Sequence, residues 1–390
     1  MINYDEVINE KIKAVKPSGI RKFFDIASEM DNVISLSIGE PDFKTPWHIR
    51  EEGINSLRLG NTRYTSNKGL TELRDEICSY YKRRFNVSYK GNENCLVTVG
   101  GSEAIDLTMR TLINIGDQVL IPEPSFVCYN PLVEMADGEP VVVETRAEDK
   151  FKITPELLEK AITPKSKILV LPYPNNPTGG IMERSDLEKI APIIKKHNIF
   201  VLSDEIYAEL TYNGKQHVSI AELEGMKERT VVVSGFSKSY SMTGWRLGYS
   251  LAPKPITDAM TKMHQFGIMS APTTAQYAAI EALKNGDKDI TAMRDEYDMR
   301  RRLVVEKFNE MGLTCFEPEG AFYAFPCIKS TGMSSEDFCM ELLKSKSVAV
   351  VPGNAFGESG EGFVRVSYSF SVKHIMEALK RIEEFLQERK

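Results

Sequence analysis

Six short apolar segments in the middle of the chain alternate with turn-rich or helical stretches, and this alternation strongly constrains the fold. The segments are NCLVTVGG, DQVLIPEP, PVVVET, SKILVLPYP, IFVLSDE and RTVVVSGFS, and stretches between them such as SEAIDLTMRTLI have helical spacing. Short apolar strands separated by helices are typical of a parallel sheet covered on both faces. We therefore predict an α/β fold whose large domain has a mostly parallel sheet with helices on both faces.

The two ends of the chain lack this alternation. A long charged helix is predicted over about 293–311, followed by short strands in GAFYAFP and GFVRVSYS and a last helix over about 372–389. This mixture predicts a smaller α+β domain built from both termini. The predicted boundaries are an N-terminal arm and part of the small domain at 1–45, a large ligand-binding domain at 46–280 and a small C-terminal domain at 281–390.

Composition and charge argue against several classes of function. The net charge is −6 at pH 7 and no block of basic residues occurs, which argues against a nucleic-acid partner. No apolar run approaches the ~20 residues that span a bilayer, and the charged N-terminus lacks the apolar core of a signal peptide. The six cysteines form no Cys-x-x-Cys pair and the five histidines lack ligand-like spacing, which predicts reduced thiols and no metal site. We expect a soluble cytoplasmic protein that binds neither nucleic acid nor membranes.

Polar residues follow directly after the predicted strands, where ligands of such sheets bind. They are Ser102 and Glu103 after VTVGG, Asn176 after ILVLPYP, Asp204 and Tyr207 after FVLS, and Ser237, Lys238 and Arg246 after VVVSGF. Pyridoxal phosphate needs this set of groups. Its aldehyde requires a lysine for a Schiff base, and its ring nitrogen requires a carboxylate. Its phosphate suits a helix N-terminus with hydroxyls and an arginine, and its ring oxygen suits an amide and a phenol.

Taken singly, most of these residues also have ordinary structural explanations. Lys238 alone could be a solvated loop lysine, Asp204 or Ser102 a helix cap, and Arg246 a surface ion pair. Asn176 followed by proline is ordinary turn chemistry. The order and spacing of the segments favour the cofactor interpretation.

The sequence resembles the class I aminotransferases, the pyridoxal-phosphate family with the aspartate aminotransferase fold, from LSIGEPDF at Leu36 to FVRVSYS ending at Ser369. The most specific motifs are FSKSYSMTGWRLG, and PNNPTG followed by SDEIY. The resemblance implies that Lys238 forms the Schiff base and then acts as the general base. It implies that Asp204 pairs with the pyridine nitrogen, and that Tyr207 and Asn176 hydrogen-bond to the ring oxygen.

The resemblance also implies residues for the phosphate, the substrate and a partner subunit. Gly101, Ser102, Ser237 and Arg246 would hold the phosphate, Glu103 belongs to the same predicted cofactor site, and Phe126 would stack on the cofactor ring. Arg365 would bind the substrate α-carboxylate as a bidentate fork, next to Asn176 and a backbone group of Gly39. Tyr64 would reach the phosphate of a second subunit, which implies a homodimer with shared sites. Taken alone, Phe126 could be a core residue and Arg365 an exposed strand residue.

One position departs from the family pattern. Many relatives have a serine three residues before the lysine, whereas this chain has Gly235. The resemblance therefore implies that one phosphate hydroxyl is missing, or is replaced by a neighbour such as Ser234.

The predicted function is an amino-acid aminotransferase that acts by a ping-pong mechanism with a 2-oxo acid such as 2-oxoglutarate. The stretch KMHQFGIMSAPTTAQ lacks the arginine that some aspartate-specific relatives use, and SGIRKFFDIA resembles a subgroup with aromatic or broad preferences. We favour an aromatic or broad-range enzyme, with N-acetyl-diaminopimelate or aspartate as alternative substrates. A carbon–sulfur β-lyase and a non-catalytic cofactor-binding regulator on the same scaffold are further alternatives.

Overall fold

The computed structural model describes residues 2–15, 19, 30 and 32–389. Its strands are β1 Ile34–Ser35, β2 Cys95–Thr98, β3 Gln118–Glu123, β4 Glu139–Glu144, β5 Ser166–Leu171, β6 Phe200–Asp204, β7 Thr230–Gly235, β8 Gly248–Leu251, β9 Tyr323–Ala324, β10 Val348–Ala349, β11 Val351–Pro352 and β12 Val364–Ser367. Its α-helices are α1 Tyr4–Val7, α2 Glu10–Ala14, α3 Trp47–Arg58, α4 Thr71–Phe85, α5 Gly91–Asn94, α6 Gly100–Leu112, α7 Tyr129–Met135, α8 Pro155–Ala161, α9 Arg184–Lys196, α10 Lys254–Gly267, α11 Thr273–Asn285, α12 Asp287–Glu310, α13 Ser335–Lys346 and α14 Val372–Gln387. The stretch at 18–27 that suggested a substrate subgroup lies, apart from Gly19, outside the described residues.

A seven-stranded sheet forms the centre of the molecule, with the strand order β2-β8-β7-β6-β5-β3-β4. Strands β7, β6, β5, β3 and β4 are parallel, while β8 runs antiparallel to both β7 and β2. Since β2 reverses the direction of β8, it again points the same way as β7. The carboxyl ends of six strands therefore meet at one edge of a mostly parallel sheet.

Helices cover both faces of this sheet, because successive side chains of a strand point to opposite faces. In β7, Val231 and Val233 pack in a core with α6 and α10, whereas Val232 packs in a separate core with α4 and α11. In β3, Leu120 packs on the side of α8 and α9, opposite its two neighbours. These buried contacts confirm the predicted α/β fold.

A further core, which we call the second core, joins the N-terminal part of the chain to its C-terminal part. It contains buried residues of β9, β12 and α12 to α14, and it includes Leu36. Strand β1 pairs in parallel with β10, and β12 lies between β11 and β9 in a small antiparallel sheet. The exact domain boundaries stay predictions.

None of the helices in the described part of the chain combines the length and the apolar character needed to cross a membrane. Within the same described ranges, His, Cys, Asp and Glu residues form no group of three or more that could hold a metal ion.

Candidate active site

A cavity of about 730 Å³ lies at the carboxyl edge of the central sheet, where the second core meets it. The predicted site residues that line it are Gly39, Gly101, Ser102, Phe126, Asn176, Asp204, Tyr207, Ser237, Lys238, Arg246 and Arg365. These residues lie at or after the ends of β2, β3, β5, β6 and β7, in the segment after β1, and in β12. The fold therefore brings residues that are far apart in sequence to one cavity.

Lys238 lies in the turn after β7, and its amine reaches across the cavity. Its Nζ donates a hydrogen bond to the carbonyl oxygen of Gly39 at 2.6 Å. Burial lowers the pKa of Lys238 to about 8, and the positive charges of Arg365 and Arg246 act in the same direction. At this pKa roughly a tenth of the amine is neutral at pH 7, far more than for an ordinary lysine, and the neutral amine is the form that a nucleophile and a proton acceptor require.

Asp204 ends β6 and is nearly fully buried. Its Oδ2 accepts a hydrogen bond from the Tyr129 hydroxyl at 2.7 Å, and its Oδ1 accepts one from the Ile206 N–H at 3.2 Å. Burial raises the pKa of Asp204, while these two donors lower it and limit the rise. The cavity thus contains a buried carboxylate, and a cationic partner would stabilise its negative charge.

Two polar contacts connect the sheet edge with the second core. The hydroxyls of Tyr207 and Tyr323 lie 2.8 Å apart. Asn176 Oδ1 accepts a hydrogen bond from Arg365 Nη1 at 2.9 Å, which leaves the amide N–H groups of Asn176 as donors. An amide and a phenol are therefore available for an anionic oxygen.

Arg365 is a buried guanidinium with five N–H donors, and hydrogen bonds to Asn176 and Ser37 use two of them. Its Nη2 donates to the carbonyl oxygen of Ser37 at 2.5 Å, and its buried Nε has no hydrogen-bond partner within the described part of the chain. The rings of Tyr323 and Phe356 lie 4.6 and 4.8 Å from its guanidinium carbon. Burial lowers the pKa of Arg365. An uncompensated buried cation on the cavity wall fits an anionic ligand such as a carboxylate.

A second anion site is formed where α6 begins. Gly101 and Ser102 lie in the first turn of this helix, whose backbone N–H groups and dipole favour negative charge. The Arg246 guanidinium lies against the same turn, since a Cβ added at Gly100 would be only 2.7 Å from its Nη2. Arg246 Nη1 also donates to the carbonyl oxygen of Thr243 at 3.1 Å.

Three predicted residues differ in how they lie relative to the cavity. The carboxylate of Glu103 accepts hydrogen bonds from the Val99 N–H and lies 2.6 Å from His264 Nδ1, and its side chain does not line the cavity. Tyr64 is 80% exposed on the surface of this chain. Phe126 lines the cavity and meets the ring of Tyr129 edge-on, with 6.2 Å between ring centroids. Their roles stay predictions.

The structure gives a physical reason for glycine at position 235. A Cβ there would lie 3.0 Å from Gly248 Cα and from the carbonyl oxygen of Leu247, so a side chain would crowd β8. Ser234 does not replace the missing hydroxyl, because its Oγ donates to the carbonyl oxygen of Glu205 at 3.2 Å and does not line the cavity.

Sequence reasoning missed several residues that support the site. Tyr129 donates to Asp204, Tyr323 contacts both Tyr207 and Arg365, and the Ser37 carbonyl orients Arg365. The sequence signal available for Tyr129 and Tyr323 was a tyrosine within the apolar segments SFVCY and GAFYAFP. It does not indicate which partner each hydroxyl contacts.

The donor set of the cavity fits pyridoxal phosphate. A buried amine of lowered pKa is suited to its aldehyde, the Asp204 carboxylate to its ring nitrogen, and the amide and phenol to its ring oxygen. The start of α6 with Arg246 is suited to its phosphate. Fold and site together define a pyridoxal-phosphate-dependent enzyme.

Comparison with known proteins identifies the family. The family model described as aminotransferase class I and II matches residues 31–382, and the chain belongs to this family. An aspartate aminotransferase of Pyrococcus abyssi (strain GE5 / Orsay) is 45% identical over 98% of this chain and 99% of its own length. An aromatic-amino-acid aminotransferase 2 of Thermococcus litoralis is 42% identical over 98% of this chain and 99% of its own length. The crystal structure of an aromatic aminotransferase from Pyrococcus horikoshii OT3 has a TM-score of 0.91 and 43% identity, and covers 94% of this chain and 99% of its own. The chain is therefore a pyridoxal-phosphate-dependent transaminase.

Proposed function

We propose that this enzyme is an aromatic or broad-range amino-acid aminotransferase that works by a ping-pong mechanism. An L-amino acid gives up its amino group and leaves as a 2-oxo acid, and a second 2-oxo acid, such as 2-oxoglutarate, then receives that group. The main support for the proposal is that Lys238, Asp204 and Arg365 line one cavity, in which burial lowers the pKa of Lys238 to about 8.

Each residue of the site has a distinct task in this proposal. When bound, pyridoxal phosphate supplies an aldehyde that takes up the amino group and a ring that accepts the electrons of the broken C–H bond. Lys238 Nζ holds the aldehyde at rest and removes the proton from the substrate α-carbon. Asp204 keeps a proton on the ring nitrogen. Tyr207 and Asn176 donate hydrogen bonds to the ring oxygen.

The remaining predicted residues bind and orient the substrate and the cofactor. Arg365 binds the substrate α-carboxylate through its unpaired Nε and a terminal nitrogen, with Gly39 and Asn176 close by. The phosphate is held by the first turn of α6 at Gly101, Ser102 and Glu103, and by Ser237 and Arg246. Phe126 stacks on the ring.

The cavity lining supports an aromatic or broad-range donor. Among the described residues that line it, the cations are Lys238, Arg246 and Arg365, and each already has a task. Among the described residues that line the cavity, a second carboxylate of an acidic donor therefore finds no further cation. Relatives at more than 40% identity include proteins named for aspartate, for aromatic amino acids and for N-acetyl-LL-diaminopimelate, so their names do not decide between these donors. Aspartate and N-acetyl-diaminopimelate remain the alternatives.

We further propose a homodimer with shared sites that works in a reducing cytoplasm. Tyr64 and Phe266 are 80% and 85% exposed, and Asn67 Nδ2 donates to the Met269 carbonyl oxygen at 2.8 Å, which joins the two segments into one surface. Exposed apolar side chains that cluster in one patch are typical of an association face, and we assign this surface to the dimer contact. All six cysteines are free thiols, as a reducing compartment requires.

The test is a donor scan without any acceptor. The holoenzyme is mixed with one amino acid at a time, and its absorbance is followed through a single stoichiometric conversion to the aminated cofactor. Phenylalanine and tyrosine should convert it faster than aspartate, and 2-oxoglutarate should restore the starting spectrum. Lys238→Ala should show no conversion, whereas Lys262→Ala, on an exposed helix position, should behave as the parent.

Two outcomes would overturn the proposal. If no amino acid converts the cofactor, the chain is not an amino-acid aminotransferase. Release of pyruvate and ammonia without an acceptor would instead establish the β-lyase alternative.

A further inference from the structure

A buried acid–imidazole contact lies directly behind the phosphate end of the cavity. His264, on α10, is completely buried, and its Nδ1 is 2.6 Å from Oε1 of Glu103 on α6. The other oxygen of Glu103 accepts the backbone N–H of Val99. Neither side chain lines the cavity, so the contact has no direct part in holding a ligand.

The Glu103 carboxylate fixes the shape of the turn that precedes α6. Val99 is the N-cap residue of this helix, and Gly100 has φ +76°. Glu103 is the fourth helical residue, one position beyond that of a capping-box carboxylate, and like such a carboxylate it accepts the N-cap N–H and so holds the first turn of the helix. Gly101 and Ser102 of this turn line the cavity, so their backbone N–H groups are the candidate donors to the phosphate. The position of Glu103 therefore determines where those donors point.

The His264 side chain fixes the Glu103 carboxylate in turn. With a carboxylate as its partner, the imidazole carries a proton on Nδ1 and donates it. Its Nε2 is buried and has no hydrogen-bond partner among the described residues. Glu103 is thus the hydrogen-bond partner of this fully buried imidazole. An apolar side chain could fill the same space without such a bond, so the contact points to a role beyond packing.

The charges explain why the carboxylate must be held. Glu103 is a carboxylate in the same helical turn as Gly101 and Ser102, which are assigned to a phosphate dianion. The Val99 N–H and the His264 N–H take up its lone pairs and keep it directed away from the cavity. Without the His264 donor, the carboxylate is free to approach the phosphate and repel it.

We propose that Glu103 and His264 are positioning residues for the cofactor phosphate. His264 holds the Glu103 carboxylate, which fixes the first turn of α6 and with it the phosphate donors. This inference rests on the cofactor site described above, and it adds a task for the Glu103 side chain and for a histidine outside the cavity.

The experiment compares two ligands that differ only in the phosphate. Binding of pyridoxal phosphate and of pyridoxal to the apoenzyme is titrated by absorbance for the parent, His264→Leu and His264→Asn. Asparagine keeps a donor close to the position of Nδ1, whereas leucine removes it. His264→Leu should bind pyridoxal phosphate about tenfold more weakly, as expected for a lost hydrogen bond to a charged group. Its affinity for pyridoxal should not change, and His264→Asn should bind both ligands as the parent does.

A second pair of variants covers the case in which His264→Leu does not fold. Glu103→Ala should lose affinity for pyridoxal phosphate alone, while Asp106→Ala, which breaks the Asp106–Arg110 contact on the exposed side of the same helix, should not. The double variant Glu103→Ala/His264→Leu should bind no more weakly than the weaker single variant, since both act through one contact.

Three results would overturn the inference. These are an unchanged affinity of the His264→Leu and Glu103→Ala variants for pyridoxal phosphate, an equal loss for both ligands, and an asparagine variant as weak as the leucine variant. No amino acid is used in these titrations, so a failed donor scan would leave their outcome intact.

Discussion

Replacing Tyr129 by phenylalanine tests how the protein controls the charge on Asp204. The substitution removes one hydroxyl from a side chain that is 1% exposed and leaves the ring in place. It deletes the 2.7 Å hydrogen bond to Asp204 Oδ2, so that the Ile206 N–H remains as the donor to this carboxylate. The change is therefore almost purely electrostatic.

The expected size follows from the strength of such a bond. A hydrogen bond to a charged group contributes about 1.5–3 kcal/mol, and 1.36 kcal/mol corresponds to one pKa unit. Because burial has already raised the pKa of Asp204, Tyr129→Phe should raise it by roughly one to two further units. A more basic Asp204 draws the proton away from the cofactor ring nitrogen. We expect kcat to fall about tenfold or more.

The assay is the pH dependence of kcat and kcat/KM for a good amino-acid donor. The acid limb should move to higher pH in Tyr129→Phe, because its more basic carboxylate is protonated at higher pH. Tyr240→Phe is the matched control, since Tyr240 is also buried but its hydroxyl has no hydrogen-bond partner among the described residues. If Tyr129→Phe showed the same kcat and acid limb as this control, the assigned role of Tyr129 would be refuted.

Three further predictions concern substrate binding, phosphate anchoring and pH-dependent stability. Arg365→Lys keeps a charge but loses the fork, so the KM of amino-acid donors should rise by roughly 10- to 100-fold; an unchanged KM would exclude Arg365 as the carboxylate ligand. Gly235→Ser should lower the free energy of unfolding by about 1–3 kcal/mol, because the serine Cβ crowds β8, and should weaken cofactor binding. Denaturant unfolding and cofactor titration measure these two effects, and no change in either would contradict the prediction. Burial lowers the pKa of His48, but hydrogen bonds to Asp289 and Glu281 raise it more, so its pKa lies above 6.5. The resulting stability is complete below pH 6.5 and is lost as the pH rises through the raised value, so His48→Gln should flatten the pH dependence of the melting temperature; an unchanged pH profile would contradict this.

Residues that share a local segment were predictable from the sequence. Lys238 and Arg246 lie in one motif, and their position after an apolar strand already implied a common edge of the sheet. The six apolar segments predicted β2 to β7. Strand β8 was missed, because its four residues GYSL form no continuous apolar run and because it runs antiparallel to its neighbours.

Contacts between distant segments could not be predicted in this way. Tyr129 and Asp204 are 75 residues apart, and Tyr207 and Tyr323 are 116 residues apart. Such pairs depend on the strand order and on how the second core meets the sheet. The direction of the Glu103 side chain likewise depends on His264, on a helix that packs against α6 only in the folded protein.

The most direct test of the central claim is to locate the cofactor covalently. Borohydride reduction of the holoenzyme converts the Schiff base into a stable secondary amine, and peptide mapping by mass spectrometry then identifies the modified lysine. The structure predicts one modified peptide, carrying the cofactor on Lys238, and no modification in Lys238→Ala. A cofactor attached to a different lysine, or to none, would contradict the account of this site.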